Sequence, residues 1–360
     1  MRPLSPIEAI APSIARTRQV LFMPFRPGRS WKIGITGYLS FFGSAYAPFP
    51  LLYVVLFFAF VPHGMGRMYL GGMSIALLVI LAIWLVLYYL LSKLGFAFFG
   101  MVLHREPMVT PMWRRYGPAA LPWTLFRFLA GSVLMALIAF PLMHAIQRFA
   151  PQFAALQTQP GQPPDPRFFA AFMSMYAVIF GLYFAFGIYL WLLSVLSDFV
   201  MPSLALEGVS LREAFRRMSA LFRTEPGQVT GYALMKLLLA LAGVIAAMVA
   251  FYIALFMVAI AALIIFGLIG FGLHLAHVPS SVLFVMAMII GFALYIVSAF
   301  YFMGLAMGAV NIFLEAYLQH FLGGRYPILG DLLDQSTPPP PQFAPPIYAY
   351  PPPDWTPPAA

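Results

Sequence analysis

Long uninterrupted apolar stretches alternate along this chain with short polar or basic segments. Runs of at least about 20 apolar residues, enough for a helix to cross a hydrocarbon core about 30 Å thick, recur near residues 33–61, 70–101, 119–147, 168–201, 229–253 and 280–318. Backbone groups inside lipid must be bonded within a helix or around a closed barrel. Barrel strands alternate apolar and polar positions, whereas these runs are continuous. The pattern predicts an all-α, polytopic transmembrane bundle of about six spans.

Between Gln228 and Gly272 the apolar run is too long for one crossing. As a straight helix it would measure about 68 Å at roughly 1.5 Å per residue. It is either two spans in a hairpin or one span with an irregular extension. The reading favours a span over 229–253 and an extension to 273, with Gly267, Gly270 and Gly272 as the bend.

Two segments carry helical spacing instead. In 210–223, Leu211, Ala214, Phe215, Met218, Leu221 and Phe222 share a stripe, Arg212, Arg216 and Arg217 lie off it, and Ser210 with Glu213 forms a capping box. Such a helix fits flat on an anionic leaflet, or packs against the ends of the spans. Residues 1–32 form a cytoplasmic amphipathic arm expected to lie on the membrane surface, with Arg16 and Arg18 beside Ile14, Val20, Leu21 and Phe22. A transmembrane domain covers 33–322, and a proline-rich, disordered tail covers 323–360. Leu21-Phe22, Pro27-Gly28 and Gly37-Tyr38 recur in order as Leu221-Phe222, Pro226-Gly227 and Gly231-Tyr232, hinting at two three-span halves.

Charge then orients the bundle. Only 9% of residues are Asp, Glu, Lys or Arg, against 62% hydrophobic. Six basic residues lie in the N-terminal arm, three in the loop after the second span and four after the fourth; the loops between hold one and two. The positive-inside rule places both termini in the cytoplasm. The net charge of +9 is explained by this asymmetry, without nucleic acid. The absence of cysteine excludes disulfides and thiolate metal sites.

Candidate chemistry is sparse. Lys93, Arg127, Asp198, Lys236 and Glu315 sit near the cytoplasmic ends of their spans. Boundary pairing, with Asp198 and Glu315 as acidic partners, is weighed first, and a substrate or proton site second. His63, His144, His274 and His277 fall toward the opposite face. They read as interfacial histidines, with metal binding as the weaker alternative. No cofactor is implied, and no catalytic or phosphate-binding motif is found.

Three segments carry a resemblance. They are Ala15-Arg16-Thr17-Arg18-Gln19-Val20-Leu21-Phe22-Met23-Pro24-Phe25 with Trp31; Ser197-Asp198-Phe199-Val200-Met201-Pro202 through Ala214-Phe215; and Phe313-Leu314-Glu315-Ala316-Tyr317-Leu318-Gln319-His320-Phe321 with Arg325-Tyr326-Pro327. Together they resemble a group of uncharacterised bacterial multi-pass membrane proteins, distantly similar to the membrane domain joined to some glycerophosphodiester phosphodiesterases. The resemblance implies a six-span inner-membrane fold and no established activity. The soluble phosphodiesterase domain has no counterpart, so its activity does not transfer. The expectation is a non-enzymatic membrane scaffold or organiser, touching anionic lipid or a protein partner at its cytoplasmic face. A transporter or permease subunit is the alternative, against which a sealed interior without a polar cavity would count heavily.

Overall fold

The computed structural model describes residues 2–23, 27–45, 67–157, 166–275 and 279–336, and the described residues contain no strand. They form ten α-helices: α1 Ile10–Phe22, α2 Pro27–Ala45, α3 Arg67–His104, α4 Val109–Tyr116, α5 Ala120–Gln157, α6 Pro166–Glu207, α7 Leu211–Thr224, α8 Pro226–Leu275, α9 Ser280–Gly323 and α10 Pro327–Ser336. A 3-10 turn, Gly117–Ala119, joins α4 to α5. Among the described residues, five helical segments are long and apolar enough to cross a membrane: Ser74–His104, Val109–Ala145, Phe172–Glu207, Pro226–Leu275 and Ser281–Gly323. Residues 46–61 of the expected first span lie outside the described residues, as does the tail beyond Ser336.

The core gathers at one end of the bundle, its base. There Phe96, Phe99, Trp123, Phe199, Tyr232, Tyr317 and Phe321 are buried among the ends of α3, α6 and α9 and the starts of α5 and α8. Tyr232 stacks on Tyr317 and Phe321 at 5.2 and 4.5 Å between centroids, and Phe199 meets Tyr232 edge-on at 5.5 Å. Away from the base the helices turn Phe140, Tyr183, Leu263 and Phe284 outward, as spans do when lipid is their solvent.

Four expectations are corrected here. The extension to 273 is regular helix: α8 is continuous for 50 residues, about 75 Å long. Its run holds no Pro, Asn or Asp after Pro226, and its glycines do not break it. The fourth span, expected to end at 201, continues to Glu207 with Pro202 inside α6; a proline removes one backbone donor, which a long apolar helix tolerates. Part of the expected tail is folded: Pro327 opens α10, and Leu329 and Leu333, four apart, are buried in the core. The arm, expected on the membrane surface, is built into the base through Ser13, Arg16, Val20 and Leu21, while Ile14, Arg18 and Phe22 stay exposed.

Arg16 explains that burial. Helix α3 ends in a left-handed residue, Arg105 at φ 56°, and Glu106 N–H returns to the Met101 carbonyl at 3.1 Å. The next two terminal carbonyls, Val102 and Leu103, accept from the Arg16 guanidinium, which also donates to Ser336 Oγ of α10 at 2.9 Å. A cation at a helix C-terminus satisfies both the dipole and the orphan acceptors. Burial, with the charge of Arg105 adding to it, still pulls the Arg16 pKa down to about 10. Arg325 joins the chain ends, donating to Leu4 O at 2.8 Å and pairing with Glu225 at 2.8 Å.

Above the base α9 is central, packing against α2 on one side and α8 on the other. The glycine pair of Gly304-Leu-Ala-Met-Gly308 faces α2, and a Cβ on Gly308 would collide with the Gly34 backbone. On the other side Gly243 of α8 receives Val310. Both α2 and α8 open at a proline that follows an amphipathic helix, the element order the recurring dipeptides anticipated.

A polar cavity between the helices

Polar side chains at helical spacing build the site. Helix α6 carries Ser194 and Asp198, α8 carries Tyr232 and Lys236, and α9 carries Asn311, Glu315 and Gln319. Residues four apart lie on one helix face, so each helix presents a short polar ladder to its neighbours. Asp198 lies nine positions before the α6 end at Glu207, about 13 Å inside that helix end.

The ladders interlock. Lys236 contacts Asp198 Oδ2 and donates to Ser194 Oγ at 2.7 Å. Tyr232 donates its hydroxyl proton to the same Asp198 oxygen at 2.7 Å. On α9 the Gln319 amide bridges two acceptors, Phe99 O at 3.1 Å and Glu315 Oε1 at 3.3 Å. Asn311 reaches the Gly37 carbonyl of α2 at 3.2 Å. Arg127 enters from α5, donating to Gly43 O at 3.0 Å, with its guanidinium 5.8 Å from the Tyr88 ring centroid.

Between these groups is a cavity of about 290 Å³, close to the lower end of the roughly 300–1,000 Å³ typical of small-molecule sites. Arg127, Asp198, Lys236, Asn311 and Glu315 line it together with apolar and aromatic side chains, among them Phe98 and Trp191. Four of the five expected boundary charges therefore meet at one place. Lys93 does not: it packs against Gly117, with its ammonium 5.0 Å from the Trp113 ring centroid. Ser194, Tyr232, Asn311 and Gln319 were not anticipated. Their signal was available as single polar residues four positions from a charge in otherwise apolar helices.

The remaining candidates lie elsewhere. His144 and His274 are exposed on α5 and α8, while His63 and His277 fall outside the described residues. Among the described residues, no cluster of three or more His, Asp or Glu side chains is arranged to hold a metal. Arg212, Arg216 and Arg217 are exposed on α7, but two of them are engaged. Arg216 pairs with Glu213 at 2.8 Å, and Arg217 bridges Glu207 at 2.7 Å and Glu213 at 3.1 Å. The hydrogen bond from Arg217 holds the Glu213 carboxyl below its ordinary range, and Glu207 raises Arg217 in turn. The α7 stripe packs on the bundle: Ala214 is buried, with Leu211, Phe215, Met218 and Leu221 against the core.

Comparison with known proteins gives no activity. No curated protein and no solved structure matches the chain, and nothing ties it to the membrane domains found with glycerophosphodiester phosphodiesterases. A family model matches residues 4–332, from the N-terminal arm through α10. The chain belongs to that family, a family of unknown function designated DUF7544.

Proposed function

We propose that this chain is a six-span bacterial inner-membrane protein that receives a small polar solute or a lipid headgroup in the cavity, as a permease or lipid-handling component. The observation that carries this reading is the convergence of Arg127, Asp198, Lys236 and Glu315, from four helices, on one cavity. Ionisable groups inside spans are costly, at about 2.5–3.5 kcal/mol each on insertion scales, and usually mark a substrate or ion path. The scaffold reading loses ground because the α7 apolar stripe is spent on packing and two of its arginines are paired.

Parity supports six spans. Arg16 of α1 meets Ser336 of α10, and Leu4 meets Arg325 just before α10, while the described residues hold five long apolar helical segments, an odd number. An even number of crossings calls for one more, which this reading gives to the expected first span, and the basic loops favour cytoplasmic termini.

The chain has no cysteine, which makes the test clean. Ser197→Cys on the cavity wall should react with a water-soluble thiol reagent in membrane vesicles, whereas Ser203→Cys, buried outside the cavity, should not. Equal inertness of the two would end the ligand-cavity reading.

A further inference from the structure

We propose that the end of α3 holds a second binding site, for an anionic phosphate group, built from Arg16 of α1, Arg29 of α2 and Arg105. None of the three lines the cavity, so this site is separate from the ligand cavity and does not depend on it.

The three arginines meet over the last residues of one helix. Arg16 donates to Val102 O at 3.1 Å and to Leu103 O, and Arg29 Nη2 donates to Arg105 O at 3.0 Å. These carbonyls are acceptors that a helix end leaves open, and they occupy only part of the three forks. Each guanidinium has five N–H donors. Arg16 Nη1, Arg29 Nε, and Nε and Nη2 of Arg105 are buried without an acceptor. Buried donors of this kind call for an ion or a water. Arg16 is 2% exposed, whereas Arg29 and Arg105 are half-buried and leave an approach on their side.

The surrounding chain does not balance these charges. None of the three arginines pairs with a carboxylate among the described residues. Glu106, next in sequence, accepts from the Met108 N–H at 3.4 Å instead, and Ser336, the Arg16 partner on α10, is neutral. The end of α3 offers about half a unit of negative charge. The start of α2 offers about as much of the opposite sign, and its first turn, where Arg29 stands, holds no acidic residue. Three guanidiniums thus share one nearby carboxylate that pairs with none of them. Burial lowers the pKa of Arg105, and that of Arg16 to about 10, which leaves Arg16 protonated at neutral pH.

A phosphate supplies both what the forks lack and the missing charge, since its oxygens match the guanidinium spacing. The place fits a lipid headgroup. The apolar segment Ser74–His104 ends one residue before Arg105, so the site stands at a membrane boundary. Beside it, Ile14, Arg18 and Phe22 of α1, four apart, share an exposed face. Basic pockets at such boundaries hold anionic headgroups. A free phosphate has the same chemistry, and the test separates the two sources.

The test uses the full-length protein in detergent. Native mass spectrometry compares phosphatidylglycerol with phosphatidylcholine of matched acyl chains, and thermal unfolding compares inorganic phosphate with chloride at equal ionic strength. Retention of phosphatidylglycerol about tenfold above phosphatidylcholine supports a lipid headgroup. A rise in unfolding temperature in phosphate but not in chloride, without a lipid preference, supports a free anion. In either case Arg29→Gln combined with Arg105→Gln should abolish the effect. Arg212→Gln combined with Arg223→Gln, which removes the same charge from exposed positions on α7, should leave it intact. Arg16 stays unchanged because it also caps α3. If the first double variant does not fold, Arg29→Gln alone should still reduce the preference about threefold. Absence of both effects in the parent protein, or an equal loss in the α7 control, would overturn the site. Reactivity at Ser197→Cys is read separately, so the cavity and this site can fail independently.

Discussion

Tyr232 on α8 and Asp198 on α6 share a hydrogen bond of 2.7 Å, made to the carboxylate oxygen that Lys236 also contacts. The aspartate is thus held by one neutral and one charged donor from the same helix, one turn apart. Hydrogen bonds to charged groups contribute about 1.5–3 kcal/mol each. Tyr232→Phe keeps the ring stacked on Tyr317 and Phe321 and removes only the hydroxyl. It should lower unfolding stability in detergent by an amount in that range. A loss under about 0.5 kcal/mol, within the scatter of neutral changes, would show that Lys236 alone satisfies Asp198.

The ion pair itself calls for a cycle. Breaking a buried pair by removing one partner typically costs about 3–5 kcal/mol, because the other charge stays behind. Lys236→Met and Asp198→Asn should each destabilise strongly. The double variant should cost clearly less than the sum, with a coupling of about 1–3 kcal/mol. Additive losses, measured in the same detergent, would mean that each residue acts through other contacts.

The glycine pair on α9 separates packing from propensity. A Cβ on Gly308 would strike the backbone of Gly34, whereas one on Gly291, in the same helix, meets nothing within 4 Å. Backbone cannot swing aside as a side chain can, so Gly308→Ala must push α2 away from α9. Overpacking of this kind costs about 1–3 kcal/mol. Gly291→Ala should be neutral or slightly stabilising, since alanine is the better helix former by about 1 kcal/mol. Equal stability of the two variants would show that the α2–α9 seam is loose.

Most of the helices were legible because an apolar run longer than a bilayer permits little else. The errors fall where tertiary contacts override local pattern. Arg16 reads as a surface cation until its partners are known, and those partners are carbonyls at residues 102 and 103, far away in sequence. Helix α10 was hidden by the prolines that follow it, although Leu329 and Leu333 already carried helical spacing. At the cavity, charge positions were readable but convergence was not. Asp198, Lys236 and Glu315 could equally have faced three different neighbours, and only packing aims them at one another. The neutral partners were overlooked because a lone Tyr, Asn or Gln in an apolar helix attracts less attention than a charge.

Helix α7 supplies a pH dependence whose sign can be worked out. Its Ser210 hydroxyl accepts from the Glu213 backbone N–H at 3.3 Å, a cap that does not titrate. The Glu213 side chain does, and the hydrogen bond from Arg217 holds its pKa below the ordinary 4.5. A carboxylate depressed in the folded state contributes stability above its unfolded pKa and loses it as pH falls through the folded value. This contribution to α7 should therefore be constant at neutral pH, fade as pH drops below about 4.5, and be smaller at high salt because the groups are exposed. A fluorophore on Ser219→Cys, exposed on α7, should show falling anisotropy over that window. Glu213→Gln removes one titrating group and preserves the cap, so its anisotropy should start lower and fall by less, with Glu207 the carboxylate left on Arg217. An acid transition as large in Glu213→Gln as in the parent would assign the effect to another carboxylate at the base, with Glu207 the next to replace.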